Sequence, residues 1–276
     1  MLIPRYYFAD DYTDFYEYFL SHPHVRKRFR KHEYLWAPSE PLTHVYYIIS
    51  GIALTSLEHE DGFRKISSMH SKGTLFPGCH QVEFKIEQSI VTTALSEMEV
   101  LSFTKAEMLH MFYDNRELSV RMLNWYAAYI NLLLYESAHQ EYNSTFIKLC
   151  NLLYLFSQNG PEGSGPDIYL TQENIAEILT TTRVHIARSL ARLRDENIII
   201  PHRKWIELCD PDRLASYCSR ETLSVWISQL EVYSKKRFFS VSDVTVFHDL
   251  FAKDRQAPQK PELITQPRLS PYPYAV

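Results

Sequence analysis

An α+β fold is predicted, with an antiparallel β-roll first, one long central helix, then a compact helical unit closed by a hairpin, and a helical extension behind it. Three observations predict it. Between residues 34 and 105, short runs rich in Val, Ile, Thr, Tyr and Phe alternate with turn signals. From Asn115 a helical period persists through RELSVRMLNWYAAYINLLLYESAHQEY. Beyond residue 168, two short amphipathic stretches meet at a threonine-rich turn and run into a basic hairpin.

Residues 1–33 read as helical or mixed and end in a charged cluster, RKRFRKHE. The strand-like runs follow as THVYYIISGIALTSL, FRKISSMHSKGTLF and QSIVTTALSEMEVLSF. Of the chain's 7 glycines, Gly51, Gly62, Gly73 and Gly78 fall in this block and mark successive hairpins. The EDG at 60–62 is the sharpest of these turns. Residues 1–114 are therefore expected to form the roll.

The central helix is expected over 115–143 and carries two apolar seams. Met122, Trp125, Tyr129 and Leu132 step by helical intervals, and Leu123, Tyr126, Ile130 and Leu133 form a second seam beside them. One seam can pack on the roll, and the other calls for a partner helix, most simply the same helix of a second copy. Asn143 and Ser144 break the period as a hinge before the helix TFIKLCNLLYLFSQ. NGPEGSGPD at 159–167 is a loop. Residues 213–254 read as added helical structure, with Leu223, Trp226, Leu230 and Tyr233 at helical spacing, and 255–276 as a proline-rich disordered tail.

The unit at 144–212 is the most informative. In LTQENIAEIL, Thr171 can cap a helix whose Ile175, Ile178 and Leu179 share one face. Thr182 can cap the next, in which Ile186, Leu190 and Leu193 gather on one side and Val184, Arg188 and Arg192 on the other. IIIPHRKWIEL then reads as two short strands about a basic turn. This order describes a winged helix-turn-helix, whose second helix would enter a major groove. Arginine suits base edges because its fork can donate two bonds to guanine, while hydroxyls and backbone N–H groups at a helix start suit phosphate. The candidate DNA contacts are Thr171, Thr181, Thr182, Arg183, Val184, His185, Arg188, Arg192, Arg203 and Lys204.

Composition bounds the rest. Hydrophobic residues make up 45% of the 276, enough for a substantial core. The net charge of −4 means that any nucleic-acid binding must come from a local basic patch. The 4 cysteines are scattered and form no zinc spacing, the N-terminus is not a signal peptide, and the apolar runs are too short to span a membrane. A cytoplasmic protein is expected. No nucleophile elbow, P-loop or HExxH occurs, so neither an enzyme nor catalytic, metal-binding or cofactor residues are expected.

YIISGIALTSLEHEDG in the roll and LTQENIAEILTTTRVHIARSLARLRDENII in the helical unit resemble the CRP–FNR family of one-component transcription regulators, over about residues 30–212. The resemblance implies an eight-stranded, cyclic-nucleotide-binding-like roll and a homodimer. It also implies an inverted-repeat operator of double-stranded DNA, a small-molecule effector, and RNA polymerase as a candidate further partner. Arg183, Val184 and Arg188 would fall at the family's base- and phosphate-contacting positions. Val184 stands where the family commonly has Glu, so the operator should differ from the familiar consensus. Thr180 stands where the inter-helix turn usually has Gly, so a differently shaped turn is expected.

Cyclic-nucleotide members carry Gly-Glu and, about ten residues on, Arg-Ser or Arg-Thr; here Cys79 and Gln88 or Ser89 occupy those places. No arginine lies between Arg64 and Arg116, so a cyclic nucleotide is not the expected effector, and no cysteine precedes Cys79 to hold an iron–sulfur cluster. EDG, the Tyr142–Asn143 pair and the aromatic central helix are nearest in pattern to the halorespiration-type regulators, which bind halogenated phenols. The expected effector pocket comprises Phe76, Gly78, Cys79, His80, Ser89, Trp125, Ala128 and Tyr129, and suits an aromatic ligand. A signalling subunit that uses its winged domain for protein contacts remains the alternative.

Overall fold

The computed structural model describes residues 3–37, 40–78, 85–159 and 167–223. The expected loop at 160–166, Cys79, His80, and the extension and tail from 224 onward lie outside the described residues.

Two sheets build the roll. One has five strands in the order β1 (Tyr7–Phe8), β6 (Arg64–His70), β5 (Ala53–Glu58), β8 (Ile90–Ala94) and β3 (Tyr34–Trp36). The other has four, β2 (Val25–Phe29), β9 (Met98–Thr104), β4 (His44–Ser50) and β7 (Leu75–Phe76). Among the described residues the roll has nine strands, one of which, β1, pairs in parallel with β6, Phe8 opposite His70. The first half of the charged cluster RKRFRKHE lies in the edge strand β2, antiparallel to β9. Its charges alternate across the strand, so Arg26 and Arg28 meet Glu99 while Lys27 lies over the Tyr46 ring.

Strand period explains how one strand serves two cores. Tyr46 and Ile48 of β4 face Leu35, Ala53, Ala94, Met98 and Val100 between the sheets. Val45 and Tyr47 point the other way, where α1 (Tyr16–Leu20) and α2 (Lys105–Asp114) cover the sheet through Phe19, Met108 and Met111. The EDG turn is present, with Gly62 N–H donating to His59 O at 2.9 Å. At Gly51 only glycine fits: its φ is +87°, and a Cβ would lie 2.3 Å from Glu97 O.

Helix α3 runs from Arg116 to Tyr142, capped by the Asn115 side chain accepting from Leu118 N–H at 3.1 Å. Its two seams have different fates. Of the first, Met122, Trp125 and Leu132 are buried, with Leu118 and Tyr135, and Tyr129 is half-buried; of the second, Leu123, Ile130 and Leu133 are exposed, with Leu134, whereas Tyr126 packs on the core. The chain breaks at Asn143 and resumes as α4 (Thr145–Asn159). Helix α4 is buried on most sides because α6 (Arg183–Asp195) and α7 (Pro211–Ser216) pack on it, while Phe156 stacks on Tyr6 of the N-terminal segment. α5 (Gln172–Ile178) precedes α6, and β10 (Ile199–Pro201) pairs antiparallel with β11 (Ile206–Leu208) as the wing. Beyond residue 212, Leu214 of α7 and Thr222 are buried.

Candidate nucleic-acid interface

The turn between α5 and α6 is a C-capping motif followed at once by an N-cap. α5 ends at Leu179, Thr180 turns left-handed, and Thr181 N–H reaches back to Ala176 O at 3.0 Å. Thr180 has φ 49°, so the turn has the shape a glycine would give it; the expected change of shape is not found. Two satisfied carbonyls and the following cap hold a β-branched residue in this costly region. The Thr182 side chain then accepts from His185 N–H at 3.3 Å and starts α6.

Ile186, Leu190 and Leu193 anchor α6 in the core, each no more than 2% exposed. That fixes which residues point outward at the helix mouth. Thr182, Arg183, Val184, His185 and Arg188 are exposed there, and Thr181 Oγ1 lies 3.4 Å from His185 Nδ1. Among the described residues, Arg183 and Arg188 have no ion pair or hydrogen bond, unlike the other two arginines of the helix. Arg194 pairs with Asp195 at 2.8 Å, and Arg192 Nε donates to Glu196 at 3.1 Å.

Arg192, also expected among the DNA contacts, is engaged within the chain. Its guanidinium lies 4.0 Å from the Phe146 ring centre and 5.1 Å from that of Tyr217, closing the contact of α4, α6 and the segment after α7. The Tyr217 hydroxyl, first, and Arg192 hold the Glu196 carboxyl below its ordinary range. About two and a half turns separate Arg192 from Arg183 at the helix mouth, and Glu196 meets its charge. Thr171 is likewise engaged within the chain. Its hydroxyl donates to Asn174 Oδ1 at 2.8 Å and accepts from Asn174 N–H at 3.1 Å, a reciprocal cap on α5 that leaves no free proton for phosphate.

At the wing, His202 stacks on Trp205 at 3.8 Å and meets Glu207 at 3.2 Å. Arg203 and Lys204 project from the turn, exposed and with no partner among the described residues. Two cationic clusters thus flank the reader unit, one at the α6 mouth and one at the wing tip.

The expected effector residues lie elsewhere, where α3 meets the roll. Phe76, Trp125 and Tyr129 do come together, around His70 of β6: His70 is 4.2 Å from Phe76 and 6.0 Å from Trp125, and Trp125 stacks on Tyr129 at 5.5 Å. Ala128 is buried on the same helix, and Gly78 lies so near it that a Cβ would sit 2.4 Å from the Tyr126 hydroxyl. Ser89 ends a 3-10 turn, Lys85–Ser89, and the described contacts do not bring it into this cluster.

Two residues central to the cluster carry no sequence signal. Phe8, fully buried, is inserted from the N-terminal strand between His70 (5.2 Å), Trp125 (5.5 Å) and Tyr129 (5.8 Å). Arg5 lies over its ring at 4.5 Å and pairs with Asp11. Burial pushes His70 down to about 3, so it is neutral, with Nε2 2.9 Å from Ser68 Oγ and Nδ1 unpartnered. The Trp125 Nε1–H is likewise buried without a partner.

A Crp-like helix-turn-helix domain model matches residues 147–217. The global nitrogen regulator of Nostoc sp. (strain PCC 7120) is 24% identical over 198 residues, covering 70% of this chain and 89% of the relative. The chain is thus similar to CRP–FNR regulators over about 70% of its length, with a Crp-like helix-turn-helix domain at 147–217. A second relative, the cAMP-activated global transcriptional regulator CRP of Salmonella typhimurium, is 23% identical over 193 residues, covering 69% of this chain and 91% of its own. The solved structure of CprK complexed with OCPA superposes with a TM-score of 0.61 at 18% identity, covering 77% of this chain and 98% of CprK. Both relatives are named as regulators, and the roll, central helix and reader unit follow one another in that order along this chain. Among the described residues, no helix is long and apolar enough to cross a membrane.

Proposed function

We propose that this chain is a CRP–FNR-type transcription regulator, a homodimer that reads an inverted-repeat operator through α6 and the wing, under control of a small aromatic effector at the roll–α3 junction. The observation that carries the reading is the division of the arginines on α6. Those in its last turns are paired within the chain, whereas Arg183 and Arg188 at its mouth are solvent-facing and uncommitted. Uncommitted guanidinium groups at the start of a helix can bind base edges or phosphate without first breaking an internal bond. Arg203 and Lys204 add phosphate contacts from the wing, and Thr181, Thr182 and His185 line the approach. Val184, 57% exposed, offers only a methyl surface, which suits a thymine methyl better than a cytosine amine.

The exposed seam of α3 supports the dimer, because Leu123, Ile130, Leu133 and Leu134 have no apolar cover in one protomer. The junction supports an aromatic effector over a cyclic nucleotide. Its lining is Phe76, Trp125 and Tyr129 around a neutral His70, and the nearby Arg5 is already paired with Asp11. A buried cyclic phosphate would want an unpaired cation there.

A salt-titrated gel shift on a selected operator tests the reading. Arg188→Ala should weaken binding by about 1–3 kcal/mol and relax one base position if the contact is to a base, or reduce the salt slope by about 1 if it is to phosphate. Binding insensitive to both salt and Arg188 would place the winged unit on a protein partner instead.

A further inference from the structure

The segment that follows α7 lies just beyond the Crp-like domain, and its hydrogen bonds leave the reader unit. Ser219 N–H donates to Asn151 Oδ1 on α4 at 2.9 Å, and Asn151 Nδ2 lies 3.2 Å from Ser219 Oγ. Thr222 is 1% exposed, and its hydroxyl meets the Tyr135 hydroxyl of α3 at 2.8 Å and the Ser219 hydroxyl at 3.0 Å. On the other side, His139 of α3 faces Asn151 Nδ2 at 3.3 Å and the amide of the hinge residue Asn143. Upstream, Tyr217 packs edge-on against Phe146 at 5.2 Å and donates to Glu196 at 2.6 Å.

These contacts form one continuous chain from α3, through the segment, to α4 and α6, and they pass around the only backbone link at Asn143–Ser144. We infer that residues 217–223 are a strap across this hinge, fixing the orientation of the reader unit to the central helix and so setting the DNA affinity of the effector-free protein. A two-residue break between helices leaves the angle between them soft. A buried side-chain network bonded to both removes that freedom, because each partner lost on opening leaves a buried polar group unmet. Tyr135, Asn151, Ser219 and Thr222 are positioning residues in this arrangement; none touches DNA.

Amide hydrogen exchange on the full chain, with Thr222→Val and Ser219→Ala, tests the strap. Thr222→Val keeps the shape of the side chain and removes the bridging hydroxyl. Exchange at residues 143–147 should accelerate about threefold to tenfold, with roll amides such as Ile48 and Val100 unchanged. Acceleration confined to 219–223, or spread equally over roll and reader, would overturn the inference, as would unchanged hinge exchange in both variants. The DNA arm rests on the proposed function: in Thr222→Val the effector-free affinity for the operator should shift by about threefold or more. An unaltered affinity despite a loosened hinge would overturn the regulatory role. A wild type that binds no DNA would defeat the functional reading alone, since the exchange arm is read without DNA.

Discussion

The exposed seam of α3 permits a quantitative test of the dimer. Val120, Leu123, Ile130, Leu133 and Leu134 are between 48% and 68% exposed in one protomer. Fully burying such a side chain contributes roughly 1.5–3 kcal/mol, so covering what remains exposed contributes about 1–1.5 kcal/mol each. Two copies of the seam therefore supply on the order of 10–15 kcal/mol, against an association cost of roughly 4–15 kcal/mol. The margin is thin enough for one substitution to decide it. Ile130→Glu acts twice, because in a two-fold interface the same residue enters from both sides. Each copy removes an apolar contact and places a carboxylate in the seam, for a joint loss of about 4–8 kcal/mol. At 1.4 kcal/mol per decade this is a weakening of about a thousandfold or more. Sedimentation equilibrium should show a dimer for the wild type at micromolar concentration and a monomer for Ile130→Glu. Tyr113→Glu, which alters an exposed aromatic on α2, should leave the dimer unchanged. Glutamate is a good helix former and Ile130 supports no core in its own protomer, so the variant should keep its circular dichroism. A folded Ile130→Glu that still dimerises would refute the assignment of this seam.

Three further outcomes follow from the local physics. Arg192→Ala should lower the thermal stability of the reader unit by a few degrees and leave operator preference unchanged, as read by melting curves and binding selection; altered preference would return Arg192 to the interface. Thr180→Gly should stabilise by about 0.5–1 kcal/mol, the relief of a left-handed β-branched residue outweighing the added freedom of the unfolded chain; a lower melting temperature would show that the threonine side chain is needed there. His70 has a folded value of about 3 against 6.5 unfolded, so the unfolded chain takes up the proton first. Its contribution is complete above pH 6.5 and is lost as pH falls toward 3, at up to about 1.4 kcal/mol per pH unit. Denaturant titrations from pH 7 to 4 should show a steeper loss for wild type than for His70→Phe, and equal slopes would contradict a buried neutral imidazole.

What was legible in the chain is what local periodicity encodes. The two seams of α3, the hinge at Asn143, the caps at Thr171 and Thr182 and the basic hairpin all follow from residues within one or two turns of each other. Local reading failed where a side chain's partner is remote in sequence. Arg192 shares a helical face with Arg188, and nothing near it reveals that Phe146 and Tyr217 enclose its guanidinium. RKRFRKHE gives no local strand signal because the carboxylate its arginines meet, Glu99, is remote in sequence although it lies on the adjacent strand β9. Phe8 has no periodic neighbours, yet it fills the aromatic junction, because β1 is a two-residue strand held by pairing with β6 rather than by its own pattern. Thr180 failed for a different reason. Steric preference assigns a glycine to a left-handed turn, but a free-energy cost of about 1–2 kcal/mol excludes a residue only when nothing offsets it. Here the bond from Thr181 to Ala176 and the Thr182 cap fix the turn from both sides, and a β-branched residue is carried along. Propensity therefore ranks the residues a turn prefers, while the bonds on either side of the turn decide which of them it will accept.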